Sequence, residues 1–212
     1  MRADRRRVGP GGLIGFIALL LSVYSFAACG SSAPERNPAE GEAVLETFYA
    51  TVAEINDLVI QVDAETDEYV ALGDLAEAQL ASGDILGVAD TLREASGISL
   101  RSAAMTRSQI NIVDGALERC MPKELTELLE LHRQEARIMV GVFEAEATRD
   151  RLMAEALEAG PGNATVEKLA VEAQEADIER VRLLGEAEEI ESRRLGRERT
   201  IFAIGVTPTT CD

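Results

Sequence analysis

From Leu45 onward, the apolar residues recur at alternating steps of three and four positions, the spacing that places them on one face of an α-helix. We call each run of such residues a seam. The first seam lasts for more than three heptads and comprises Leu45, Phe48, Val52, Ile55, Val59, Val62, Thr66 and Tyr69. Three similar seams follow, and no run of β-branched residues alternates with polar residues as a half-buried strand does. The pattern therefore predicts an all-α protein whose helices pack through coiled-coil-like seams.

Turn and capping residues separate the seams. The second seam runs from Ile85 to Leu117 and follows Gly83-Asp84, a pair that suits a helix end and then an N-cap. The third seam follows Pro122, which suits the first turn of a helix, and stops at Gly160-Pro161-Gly162. These residues predict short connections between long helices.

Two boundaries are less sharply defined. Gly73-Asp74 repeats the end-and-cap pair inside the first pattern, so we expect a break there, with Leu75 to Leu80 as a short corner helix. The fourth seam runs from Val166 towards Ile201, and either Asn163 or Thr165 caps it.

Near-equal helices joined by short turns favour an elongated up-down-up-down four-helix bundle. At 1.5 Å per residue, helices of roughly 34 to 38 residues would each be about 50 to 57 Å long. Only 4% of the residues are aromatic. We therefore expect one domain over residues 41–212, with a thin core of Leu, Val, Ile and Ala.

The charge balance and the residue counts exclude several classes of function. The 212 residues include 21 Lys and Arg against 38 Asp and Glu, a formal charge of −17, which opposes binding to nucleic acid. With one His and three Cys, the chain has few ligands for metal or haem, and we expect no metal and no cofactor. A carboxylate-bridged di-metal bundle needs Glu three positions before His, and Leu129 stands there relative to His132. No catalytic residue set or phosphate loop is present, so we expect no enzyme.

The N-terminal segment, residues 1–28, is typical of an export signal. A basic stretch, Arg2 to Arg7, precedes an almost wholly apolar one, Leu13 to Leu21, and small residues then lead into Ala27-Ala28-Cys29. This segment resembles the signal of bacterial lipoproteins, whose lipobox places Leu, a small residue and Gly or Ala before the Cys. Phe26 stands where that family has Leu. The resemblance covers the N-terminal segment only and does not extend to the domain behind it.

The resemblance implies a diacylglyceryl group on the sulfur of Cys29, removal of residues 1–28 and acylation of the new amino terminus. Each methylene of a chain such as palmitate contributes about 0.8 kcal/mol when buried, so two or three chains make a durable membrane anchor. Residues 29–40 would then form a lipidated tether on the extracytoplasmic face of the cell membrane. Secretion without lipid and an uncleaved signal anchor are the alternatives.

The bundle topology predicts a disulfide. The connection after the second helix and the end of the fourth helix both return to the anchored end, which brings Cys120 and Cys211 together. Outside the cytoplasm these two thiols are expected to pair, because lipid occupies Cys29. Closing a loop of about 90 residues would stabilise the fold by up to roughly 4 to 5 kcal/mol. Two free thiols are the alternative.

The sequence offers one candidate for a ligand site. His132 lies in the third seam, where it can face the small and polar middle of the second helix at Ser99 and Thr106. A buried His satisfied by one hydrogen bond is the competing interpretation. We expect a non-enzymatic, lipid-anchored envelope protein that binds another protein through its helical faces. The alternative is a bundle that binds a small molecule or cation at this polar centre.

Overall fold

The computed structural model describes residues 38–204, which form four helices. These are α1 (Pro38–Ser82), α2 (Ile85–Leu117), α3 (Lys123–Ala159) and α4 (Ala164–Ile204). Their lengths of 45, 33, 37 and 41 residues are less equal than the sequence predicts. The predicted signal segment, the lipidated Cys29 and Cys211 lie outside the described residues.

Helix α1 continues through Gly73-Asp74, so the predicted break and the separate corner helix are wrong. It also begins at Pro38, inside the predicted tether. The chain turns instead at Gly83, whose φ of 81° suits a residue without a Cβ. Asp84 then caps α2, because its carboxylate accepts the backbone N–H of Gly87 at 3.0 Å. Gly73 meets no such backbone requirement, and the helix runs through it.

The other boundaries agree with the predictions. Helix α2 spans Ile85–Leu117, and α3 ends at Ala159, where Gly160 has a positive φ of 74°. Pro122 precedes α3, and its carbonyl oxygen accepts the N–H groups of Leu125 and Thr126. Of the two proposed caps for α4, Asn163 is the one used, since its Oδ1 accepts the N–H of Thr165 at 3.0 Å.

Consecutive helices pack side by side along their lengths, which confirms the all-α four-helix bundle. An apolar core cluster lies at the end where α1 begins and α4 ends, and all four helices contribute to it: Phe48, Val52, Ile55, Val113, Ala116, Leu125, Leu128, Leu129 and Ile201, with Met121 from the α2–α3 loop. By contrast, α1 and α4 approach each other closely at isolated points at most. The fourth side of the bundle is therefore less tightly packed than the other three.

The second half of α1 is poorly covered. From residue 56 to residue 82 no side chain of α1 is fully buried. Within the described part of the chain, no helix is long and apolar enough to cross a membrane.

Cys120 lies in the loop between α2 and α3, at the end of the bundle where α4 ends. It is disulfide-bonded, and both other cysteines of the chain lie outside the described residues. The pairing with Cys211 stays a prediction.

Candidate functional site

A layer of polar and charged side chains crosses the bundle beyond the apolar core cluster. We call it the polar layer; it consists of Tyr69 from α1, Glu146, Arg149 and Asp150 from α3, and Asp177 and Arg180 from α4. Asp150 is its centre and is only 1% exposed. A carboxylate buried this deeply requires charged or hydrogen-bonding partners.

The polar layer supplies those partners from two helices. The hydroxyl of Tyr69 donates to Oδ2 of Asp150 at 2.8 Å, and Nε of Arg149 donates to Oδ1 at 2.9 Å. Arg149 also donates to the Tyr69 hydroxyl oxygen. Both carboxylate oxygens of Asp150 therefore accept hydrogen bonds, and the bond from Tyr69 links α1 to α3.

The same network extends to α4 through Asp177. Oδ1 of Asp177 accepts from Arg149 at 3.1 Å and from Nε of Arg180 at 2.9 Å. Arg180 lies 3.7 Å from the carboxylate of Glu146. Because α1 and α4 scarcely touch, this chain of side chains links them by way of α3.

Helix α2 adds small hydroxyl residues instead of charges. Ser96 donates to the carbonyl oxygen of Ala147 on α3 at 2.8 Å. Ser99 is 2% exposed, and its hydroxyl has no hydrogen-bond partner. Small side chains let α2 approach α3 closely, which helps to exclude water from the neighbouring charges.

Burial raises the pKa of two members of the polar layer, Tyr69 and Glu146. Burial and the nearby Asp150 carboxylate raise the pKa of Tyr69, so this residue stays a neutral hydrogen-bond donor. Burial raises the pKa of Glu146 to about 7, although Arg180 and Arg149 oppose the shift. Glu146 is therefore the member of the layer whose charge changes near neutral pH.

Glu146 should make the fold less stable as the pH rises. The folded state holds the Glu146 proton up to about pH 7, whereas an unfolded Glu releases it near pH 4.3, so the unfolded state is favoured progressively across this window. Relative to Glu146→Gln, the wild type should lose on the order of 2–3 kcal/mol between pH 5 and pH 8. Urea unfolding at both pH values measures this difference. The exposed Glu188→Gln variant is the control, and a wild-type profile parallel to that of Glu146→Gln contradicts the prediction.

A second ionic group lies between α3 and α4, nearer the apolar core cluster. We call it the Arg194 cluster; it contains His132, Glu135, Arg194 and Glu198. Arg194 is 5% exposed and donates to Glu135 at 2.7 Å and to Glu198 at 2.6 Å. Burial works to lower the pKa of Arg194, but the two carboxylates outweigh it and the pKa is raised.

The His132 imidazole lies beside this cation, and its Nε2 is shielded from solvent. Burial, together with the positive charge of Arg194, lowers the pKa of His132 to about 4. The imidazole is therefore neutral at physiological pH. An interior neutral His fits the competing interpretation of His132 as a structural residue.

Acid should destabilise the fold through His132. An unfolded His takes up its proton near pH 6.5, whereas the folded one does so only near pH 4, so stability is lost as the pH falls through this window. Relative to His132→Leu, the wild type should lose roughly 2–3 kcal/mol between pH 7 and pH 4. Chemical unfolding at intermediate pH values follows the loss. Equal pH dependence of the two proteins is the outcome that excludes it.

His132 lies on α3 beside the Arg194 cluster, whereas Ser99 and Thr106 lie on α2. Next to His132, Arg133 donates to Asp114 of α2 at 2.9 Å. The hydroxyl of Thr106 donates to the carbonyl oxygen of Ser102 within α2. A ligand site that joins His132 with Ser99 and Thr106 stays a prediction.

The sequence-based predictions do not include the polar layer, although the sequence contains a signal for it. The third seam loses its regular spacing after Ala147, and the next seam position is Asp150. The structure buries Asp150 and leaves Met153, the next large apolar residue but one, 42% exposed. Arg180 likewise occupies a position of the fourth seam, between Ala176 and Leu183. Charged residues at seam positions of two helices are the signal for this layer.

The chemistry available in these sites is charge pairing. No group of three or more His, Cys, Asp or Glu residues in the described range is arranged to hold a metal ion. Comparison of the chain with known protein families, with curated proteins and with solved structures finds no match. Fold and site together define a four-helix bundle with buried ionic layers and one loosely packed side.

Proposed function

We propose that the protein is a lipid-anchored, extracytoplasmic helical-bundle protein of the bacterial envelope that binds another protein through its helical faces. The observation that carries the proposal is the poorly covered second half of α1, where a stretch of 27 residues, from 56 to 82, has no fully buried side chain. A long helix normally gains its stability in a protein by burying one face. Such a helix suits a surface that a partner completes.

The hydrogen bonds within the polar layer argue against a small-molecule or cation site in that layer. Both carboxylate oxygens of Asp150 accept hydrogen bonds, and Asp177 pairs with two guanidinium groups. A ligand would have to displace these partners and leave buried charges uncompensated. We therefore assign the layer a structural role, in which it holds α1, α3 and α4 together.

The acidic body fits an anchor made by lipid alone. The chain carries 38 acidic against 21 basic residues, and anionic headgroups repel such a surface. The lipid on Cys29, as the lipoprotein resemblance implies, would hold the bundle close to the membrane while its faces stay free for a protein partner.

Metabolic labelling with an alkyne analogue of palmitate tests the anchor. The full chain expressed in a bacterium should carry the label and fractionate with membranes, and Cys29→Ser should lose both properties. Photocrosslinking tests the partner: a crosslinker at Ala71 on α1 should give a discrete adduct in cells, and one at Gly115 on α2 should give none. An unlabelled chain or identical adduct patterns at both positions would contradict the proposal.

A further inference from the structure

The second half of α1 and the first half of α4 form a side of the bundle where neither helix covers the other. We call the surface between residues 56–82 of α1 and residues 164–186 of α4 the open side. Each of these helices packs along its length against its chain neighbour, α2 or α3, but they approach each other at isolated points at most. The polar layer crosses beneath the open side and links the two helices through α3.

Side-chain directions show where the open side lies. Glu65 of α1 accepts from Arg101 of α2 at 3.0 Å, and Val70 is about 140° further around the helix. On α4, the side chain of Leu183 lies over Gly141 of α3, and Val181 is about 160° away from it. Val70 and Val181 therefore lie on the sides of α1 and α4 that turn away from their packed neighbours. They are 48% and 55% exposed.

These two stretches carry most of the large apolar side chains that the described residues leave exposed. On α1 they are Ile60, Val70, Leu75 and Leu80. On α4 they are Val171, Ile178 and Val181. Around their helices these side chains point in different directions, since Leu75 lies about 140° from Val70 on α1. Val70 and Val181 are therefore the apolar positions assigned to the open side.

The charges around the open side are mostly negative. Residues 56–82 contain seven Asp and Glu and no Lys or Arg. Partial burial and, to a smaller extent, the neighbouring Asp67 carboxylate raise the pKa of Asp63. The cations on the facing part of α4 are engaged elsewhere, since Lys168 pairs with Glu172 and Arg182 with Glu179 and Glu186.

We infer that the open side of the bundle binds an amphipathic helix of a partner protein that carries Lys or Arg along both flanks of its apolar stripe. The inference rests on the proposed function and specifies its partner. Such a helix would bury the exposed Val70 and Val181 and bring cations to the carboxylates that lie on the same side of α1 as Val70, Asp63 and Asp67. A second copy of this chain would instead place the same carboxylates opposite one another, which is repulsive.

Two synthetic helical peptides test the inference with the purified full chain in detergent. Both have leucines at the core positions of about three heptads. One has Lys at all flanking positions, and the other has Glu there. Fluorescence anisotropy should show that the Lys peptide binds at least tenfold more tightly than the Glu peptide. Raising the salt concentration should weaken its binding. Equal binding of the two peptides overturns the inference.

Matched variants locate the binding surface. Val70→Lys and Val181→Lys should each weaken binding of the Lys peptide at least tenfold, because each adds a repelling charge at an apolar rim position. Leu100→Lys makes the same chemical change at a residue of α2 that is 53% exposed. It should change the affinity less than twofold, and an equal loss at Leu100 would mean nonspecific attraction and overturn the inference.

The remaining outcomes separate this inference from the proposed function. Analytical ultracentrifugation can show a dimer that the Val70→Lys variant dissociates. That result would identify a second copy of the chain as the occupant of the open side and overturn the inference of a cationic partner helix. An adduct from Ala71 in cells, without any binding of the Lys peptide, also overturns the inference but leaves the proposed function intact. Loss of palmitate labelling, in turn, contradicts the proposed function without affecting peptide binding.

Discussion

Asp150→Ala should destabilise the bundle by about 3–5 kcal/mol, the loss typical of removing one partner from a buried ion pair. The variant removes the acceptor of the Tyr69 hydroxyl and one counter-charge of Arg149, whose side chain is 22% exposed. Arg149 keeps Asp177 as a partner, but the hydroxyl of Tyr69 is left without its carboxylate. The effect should be a loss of free energy of unfolding measured by urea denaturation followed by circular dichroism.

Two further variants test the reason for that loss. Asp90→Ala removes an exposed carboxylate that pairs with Arg93, and it should change stability by less than about 1 kcal/mol. Asp150→Asn keeps an oxygen that can accept from Tyr69 while it removes the charge, so its stability should lie between those of Asp150→Ala and the wild type. If Asp150→Ala behaves like Asp90→Ala, the polar layer contributes nothing to the fold.

The helix boundaries show what local sequence can predict. Helix α2 has a side-chain cap at Asp84 and a proline shortly after its end, and its predicted bounds are confirmed. Gly73-Asp74 and Gly83-Asp84 are the same local signal, yet the chain turns only at Gly83. Local residues cannot separate the two pairs, because a Gly inside a helix costs only about 1 kcal/mol and packing elsewhere along α1 offsets it.

The sites depend on helix register, which a seam pattern does not determine. A heptad pattern predicts which face of α3 is buried but not which residue of α2 lies opposite His132. That register follows from contacts such as Arg133 with Asp114 and Ser96 with Ala147, which lie 19 and 51 positions apart in the chain. Tyr69 and Asp150 are 81 positions apart, so their hydrogen bond belongs to the assembled bundle.

The arginines near the C-terminus of α4 illustrate the same point. From sequence, Arg193 to Arg199 suits the negative end of a helix dipole, and solvated pairing with nearby acidic residues is expected. The structure instead buries Arg194 between two carboxylates and pairs Arg197 with Glu127 of α3 at 2.5 Å. Composition shows an Arg-rich stretch, but only packing determines which guanidinium is enclosed.

Arg194→Met should cost about 3–5 kcal/mol, because it leaves Glu135 and Glu198 buried without their shared cation. Burial already raises the pKa of both carboxyl groups, and loss of Arg194 should raise it further. The two groups would then be protonated more readily in the folded state than in the unfolded state. The variant should therefore recover stability as the pH falls from 8 to 5. Urea unfolding across this range measures the effect, with the exposed Arg193→Met as the control.

A triple variant tests whether the Arg194 cluster stabilises the fold or only determines the register of α3 and α4. Arg194→Met combined with Glu135→Leu and Glu198→Leu removes every charge of the trio, and apolar replacements of a buried ionic triad are often neutral or stabilising. We expect the triple variant to return to within about 1 kcal/mol of the wild type. Its pH dependence should then lack the recovery seen in Arg194→Met. Since the charges pair α3 with α4 at one position, their expected role is to exclude other registers of these two helices. If the triple variant is as unstable as Arg194→Met, the ion pairs are themselves a net source of stability and that role is contradicted.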